Sequence, residues 1–444
     1  MGEINWENEF NKNTFEDWRT KALKEVKNDH SKLEMHDEIE EISTPILTPP
    51  SPLHQRRLNL STLDSTKNNY NKSSSWKNGV ILHSKDEKEI NKIALKHLMN
   101  GIDLLYFKEE KNTKWDILLK GIEFKYIHTQ FRTLSFDNTQ NLMKNIPSKY
   151  WDYIAINHDI IDSENISKEL INQLQKKPIK MFVSNGYKIQ QCGANTWQEI
   201  AYILSCANEM LILLMQKGLN IDKAASCIHF STGIGSNYFM EIAKIRALRY
   251  LWEQVINAYK PREIKSKTCL ISAHIGLMNK SLKDPHTNIL RQTTESMSAI
   301  IGGVDHLIVH PYDELSNNGP SEFATKLGIN ISLLLKEEAK FGMTKDPQGG
   351  SYLIEYLSDK IAKKAWALFQ KMDGFKSIMS EKKQAYIKEF VSKKAALRIK
   401  KIKNKEKIII GVNNYLNPQK IASKSKNSKT YLGLEEINYE SITN

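Results

Sequence analysis

Residues 237–253 read NYFMEIAKIRALRYLWE, and what this stretch requires on either side of it decides the fold. Met240, Ala243, Ala247, Tyr250 and Leu251 recur at helical spacing while Glu241, Lys244 and Arg249 turn elsewhere, which predicts an amphipathic helix with a broad apolar stripe. Such a helix needs a layer to lie on. Two short apolar runs with polar boundaries supply it, SCIHFST at 226–232 and KTCLISAH at 267–274. Strand, helix, strand is the repeat of an α/β protein with parallel strands.

Outward from that unit the rhythm continues. Strand-like runs stand at 79–83, 102–107, 122–126, 153–157, 179–184, 227–232, 268–272 and 306–310, and helical patterns begin near Asp86, Thr113, Asn138, Ser163, Thr196, Asn237, Pro285 and Ser321. Eight strand–helix units are the arithmetic of a closed (β/α)8 TIM barrel, with a doubly wound open sheet as the alternative. The barrel is expected over 76–350, after an N-terminal region, 1–75. That region holds a helical pattern, TFEDWRTKALKEVK at 14–27 with Thr14 as its cap, and a Pro/Ser/Asn-rich arm over 43–75 that cannot bury enough surface to fold alone. Trp6, Phe10, Phe15 and Trp18 stand out in this polar leader as candidates for an apolar interface. Helical patterns at 355–372 and 380–400 and the run IIIGVNNYL at 408–416 close the barrel domain over 351–416, and 417–444 reads as an irregular tail.

Composition narrows the function classes. The chain has 444 residues, 64 Lys and Arg against 51 Asp and Glu, and a net charge of +13, but its lysines are spread among Asn and Ile without the interleaved aromatics of a base-stacking surface. No nucleic-acid partner is expected. Cys192, Cys206, Cys227 and Cys269 form no C-x-x-C pair and no metal-ligand spacing with His, so they read as reduced, buried residues of a cytoplasmic protein that binds no metal. MGEINWENEF lacks the basic and apolar parts of a secretory signal, and Gly2 is not followed by the Ser or Thr of a myristoylation site. No apolar run approaches the roughly 20 residues that span a bilayer, so no membrane association is expected.

Three serines stand at or near predicted strand ends, Ser184 in VSNG, Ser231 in FSTG and Ser272 in ISAH. Barrel interiors are usually filled by branched side chains, so these hydroxyls either leave the axis open for a slender polar ligand or cap the turns that follow. Gly233-Ile234-Gly235-Ser236-Asn237 likewise has two readings: N–H groups exposed to an anion at a helix start, or ordinary turn chemistry.

Four stretches together resemble the methylmalonyl-CoA mutase family: SNGYKIQQCGA at 184–194, YFMEIAKIRALRYLW at 238–252, DPHTNILRQTTESMSAIIGG at 284–303 and DPQGGSYLIE at 346–355. The run IIIGVNNYL is similar to the end of that family's barrel domain, and the resemblance covers roughly 178–416. It implies adenosylcobalamin-dependent interconversion of methylmalonyl-CoA and succinyl-CoA, with the acyl-CoA threaded along the barrel axis. It also implies a carboxyl-terminal flavodoxin-like domain whose D-x-H-x-x-G motif ligates cobalt, and this chain is expected to lack one. The D-x-H of Asp284, Pro285 and His286 is followed by no such glycine.

The catalytic motif of the family reads G-Y-H-M-Q-E-A-G-A, against Gly186, Tyr187, Lys188, Ile189, Gln190, Gln191, Cys192, Gly193 and Ala194 here. The family's histidine, a directed donor to the thioester carbonyl, is thus replaced by Lys188, a flexible hydrated cation. Tyr187, Lys188 and Gln190 therefore read as degenerate catalytic positions, and the segments T-I-Q-N-D and R-T-Y-A-G have no counterpart before Pro178. Ser184, Ser231, Ser272 and His274 remain as vestigial substrate-binding candidates. The pattern is similar to the family's small subunit, which implies a barrel without bound cofactor, paired as a heterodimer with a large catalytic subunit that holds the adenosylcobalamin. The alternative is a catalytic barrel module served by a separate cobalamin protein.

Overall fold

The computed structural model describes residues 14–48, 76–84, 86–160, 166–375, 377–416 and 429–443. Trp6 and Phe10, most of the Pro/Ser/Asn-rich arm, the helix start at Ser163 and the tail over 417–428 lie outside the described residues.

Eight parallel strands close into a barrel: β1 (Lys77–Ser84), β2 (Leu104–Glu109), β3 (His128–Arg132), β4 (Ile154–Asp159), β5 (Lys180–Asn185), β6 (Ile228–Ile234), β7 (Ile271–Ile275) and β8 (His306–Ile308). Strand β8 pairs with both β7 and β1, which rules out the open sheet. Seven of the eight expected strands overlap an observed one. The third does not: residues 122–126 lie in a turn that follows Gly121 at φ +77°, and the strand begins at His128. Ile122, Phe124 and Ile127 are apolar because they are buried in the core as turn residues, whereas HTQFR carries a polar inward face that hides it from an apolar search.

That polar inward face is general. In β6, Phe230 points outward, with its ring edge-on to Trp252 at 5.0 Å, and Thr232 Oγ1 donates to Glu199 of an outer helix at 2.6 Å. Ser231, between them, therefore faces the axis, as a period of two requires. Across the barrel, Gln130 Nε2 lies 2.7 Å from both Ser272 Oγ and His306 Nδ1, and Asn157 Nδ2 donates to Gln130 Oε1 at 3.2 Å. Hydrogen-bonded amide, hydroxyl and imidazole groups occupy the positions that branched aliphatics fill in most barrels.

Tyr238–Ala258 is the helix expected over 237–253, but its charged side does not face water. Glu241, Lys244 and Arg246 are all buried. Helices Thr196–Gln216 and Tyr352–Asp373 pack along it and enclose the polar side as well as the apolar one. Lys244 Nζ lies 2.8 Å from Glu199 and 2.6 Å from Glu241, and it also donates to the Gly233 carbonyl. Burial works against its charge, but the two carboxylates outweigh burial and raise its pKa to about 12. Arg246 binds Asp346 and, at 2.6 Å, Glu355, so the DPQGGSYLIE segment is clamped to this helix.

Thr196–Gln216 is long and apolar enough by composition to cross a bilayer, which the sequence reading missed. Yet 78% of its most apolar window is buried inside the protein, which accounts for that apolarity. Helix Glu381–Lys403 is lysine-rich, but Lys383 pairs with Glu209 and Lys394 with Glu41, so its charge is partly internal. At the amino-terminal side, helix Phe15–Glu25 carries the expected Thr14 cap as a full capping box, and Phe15 and Trp18 meet at 5.5 Å without either being buried. A hairpin, Glu34–Asp37 with Ile42–Pro45, follows it. The tail is not irregular throughout: Thr430–Tyr431 pairs with Leu434–Glu435, and a helical turn, Tyr439–Ile442, follows.

Two consequences can be measured. Lys244→Met strands two buried carboxylates, so urea unfolding should show a loss of about 3–5 kcal/mol; a loss below about 1 kcal/mol would mean that the network is not a structural anchor. Burial lowers His158 and His229 from 6.5 to about 4, so the unfolded chain takes up protons first as pH falls. Stability is then complete above pH 6.5 and declines toward pH 4, by up to about 1.4 kcal/mol per histidine per pH unit. His229→Gln should flatten that decline between pH 7 and 5.5, and an unchanged slope would exclude His229 as a source.

Candidate functional site

The catalytic end of such a barrel is the mouth at the carboxyl ends of its strands. Strand β5 ends at Asn185, whose side chain accepts from Lys188 N at 3.2 Å and starts the short helix Gly186–Gln191. Gly186 sits against Ile203 and Glu199, where a Cβ would collide. That close approach places Tyr187 and Lys188 over the mouth.

Lys188 Nζ lies 2.9 Å from Asp159 Oδ2 at the end of β4. The ring of Tyr431 covers the ammonium at 4.6 Å, and the Tyr431 hydroxyl reaches Tyr202 OH at 2.6 Å and Asp159 Oδ2 at 3.2 Å. One of its donors is thus taken by a carboxylate, and an aromatic face covers the charge. Beside it, Tyr187 stacks on His274 at 4.9 Å and on His310 at 5.9 Å, and Tyr106 meets His274 edge-on at 6.2 Å. Burial, then the nearby Lys108, lowers His274 to about 3; burial and His274 hold His310 well below the ordinary imidazole range. Both rings are neutral at pH 7. Burial and then Glu436 raise the Cys192 thiol to about 12, so it is no thiolate nucleophile.

The expected site residues do not all converge. Tyr187 and His274 do, and Lys188 stands beside them. Ser184 does not: its hydroxyl donates outward to Ile203 O at 2.9 Å, so it faces the helix layer rather than the axis. Ser272 faces the axis, but its hydroxyl is tied to Gln130 and His306, and Ser231 lies next to it in register. At that depth the axis is filled by side chains. Gln190 is buried against Gln191 and Gly233, where a Cβ on the glycine would strike it. The glycine loop is closed to anions, because Gly233 N and Gly235 N already donate to Glu199 and Glu241, each at 2.9 Å.

Asp159, Tyr202, His310 and Tyr431 belong to this site and escaped the sequence reading. Asp159 and Asn157 share one parity in IAINHD, which was the available signal. Nothing in the tail marks Tyr431. His286 precedes helix Thr287–Gly302 with its ring 5.5 Å from Tyr312, and no group of three His, Cys, Asp or Glu among the described residues could hold a metal ion.

Residues 429–443 run over the mouth, with Ile437 N donating to Gln191 O and Tyr439 N to Met278 O, both at 2.8 Å, so a macrocycle laid there would have to displace them.

Comparison with known proteins places this geometry. The chain is 37% identical over 240 residues to the methylmalonyl-CoA mutase small subunit of Porphyromonas gingivalis, a match covering 54% of this chain and 38% of that one. It is 33% identical over 233 residues to the methylmalonyl-CoA mutase of Rhizobium meliloti, covering 52% and 32%. The match thus spans only about a third of either relative's length. Among solved structures, the dihydropteroate synthase of Yersinia pestis overlays 59% of this chain and 93% of its own at 12% identity, with a TM-score of 0.33 too low to support any conclusion. The methylmalonyl-CoA mutase family model matches residues 166–437, from the approach to β5 into the segment over the mouth, and the chain belongs to that family.

Proposed function

We propose that this chain is a non-catalytic, small-subunit-like component of an adenosylcobalamin-dependent methylmalonyl-CoA mutase. It forms a heterodimer with a large catalytic subunit, which binds the cofactor and interconverts methylmalonyl-CoA and succinyl-CoA. The observation behind this reading is the fate of Lys188. Where a mutase barrel would offer a neutral directed donor, this chain has a cation paired with Asp159 and roofed by Tyr431. Such a group polarises no carbonyl without first breaking a partly buried ion pair, and the neighbouring imidazoles are buried and uncharged. Likeness to a small subunit in a relative supports the same conclusion. The four cysteines are buried and unpaired, which supports a reducing, cytoplasmic setting.

Co-expression with a large mutase chain should give a one-to-one complex on size-exclusion chromatography, and a chain that stays monomeric beside it would end the scaffold reading. In that complex Lys188→Ala should leave turnover within about twofold. A loss of about 100-fold or more, the scale of a missing acid–base group, would instead favour a catalytic barrel module working with a separate cobalamin protein.

A further inference from the structure

The cover over Lys188 comes from one short piece of chain, 429–443, and its contacts fall on the residues of the mouth. Tyr431 roofs the Lys188–Asp159 pair. The Leu434 carbonyl lies 3.6 Å from Cys192 Sγ, Ile437 N donates to Gln191 O, and Glu440 Oε2 accepts from Leu282 N at 2.5 Å. The receiving loop is shaped for this. Gly193 has φ +104°, and a Cβ there would come within 2.7 Å of Ile437 Cδ1 and 2.9 Å of Ala395 Cβ. Only a glycine meets both the backbone and the close approach.

The attachments differ in kind from those that hold the barrel. Tyr439 packs in a small cluster with Met278, Ile402, Ile409 and Val412, separate from the main core. Ile437 and Ile442 lie partly buried against that cluster, Leu434 is the segment's one buried side chain in the main core with Tyr431 and Leu432 partly buried beside it, and the rest are hydrogen bonds and one ring over an ammonium. Segments with few apolar contacts open locally at a fraction of the free energy of global unfolding.

The geometry points to residues 429–443 as a self-occluding strap: the chain covers its own ligand-facing mouth, the part-buried Lys188 is fully uncovered when the strap lifts, and the buried Gln191 and Cys192 become accessible only then. Any thioester or second protein domain approaching from that end must displace it. This goes beyond the scaffold reading and does not depend on it.

Cys192 reports the state of the strap, and Cys227 and Cys269, buried elsewhere, serve as controls. In the full-length protein, maleimide labelling followed site by site by mass spectrometry should be slow at Cys192. In Tyr431→Ala/Leu434→Ala it should accelerate about 10-fold or more, while Cys227 and Cys269 keep their rates. Lifting the strap removes both the burial and the Glu436 carboxylate that raise this thiol's pKa, so both effects act in one direction. An unchanged rate at Cys192 overturns the strap. If the control thiols accelerate as well, the double variant has unfolded, and Glu440→Gln decides: a rise confined to Cys192 supports the strap, and no rise overturns it. No partner or cofactor enters the assay, so failure here leaves the scaffold reading standing.

Discussion

One buried ammonium between two carboxylates holds the best-matched half of this barrel in register. Glu199 belongs to the helix after β5, Glu241 and Lys244 to the helix after β6, and the same carboxylates accept the Gly233 and Gly235 amides of the loop between. Two helices, a strand end and a loop are therefore fixed by a single set of hydrogen bonds. Charges taken this far from water are tolerable because each stands against an opposite charge. The glycines are required by the crowding that results: the Gln190 side chain lies against Gly233.

This network explains both how well and how badly the sequence could be read. The strand–helix rhythm was legible because the outer helices and outward strand faces are apolar at the right periods, and seven strands followed from it. The polarity of the third strand's inner face hid it. The charged positions of the central helix looked like a solvent face because a pattern of polar residues cannot distinguish water from a buried partner. Glu241 and Lys244 sit where an amphipathic helix meets solvent, but here another helix and a loop meet them instead.

The site was legible in part for the same reason. Tyr187 and Lys188 follow the end of β5 and His274 stands next to the end of β7, where function concentrates in this architecture. Their meaning depends on Asp159, His310 and Tyr431, which lie 29, 122 and 243 residues from Lys188 and come together only through barrel closure and the tail. Ser184 failed as an axis residue by one position of strand parity, a distinction that register settles and spacing alone does not.

The two ends of the described chain meet at one place. The hairpin carbonyl of Glu38 accepts from Lys394 Nζ at 3.2 Å, and Glu40 takes Thr196 N and Oγ1 while facing Arg398 at 3.8 Å. Contacts between residues hundreds of positions apart form late, because loop closure must precede them. During synthesis the hairpin Glu34–Pro45 therefore waits for the helix Glu381–Lys403 to emerge from the ribosome, and until then the nascent barrel carries an unsealed flank.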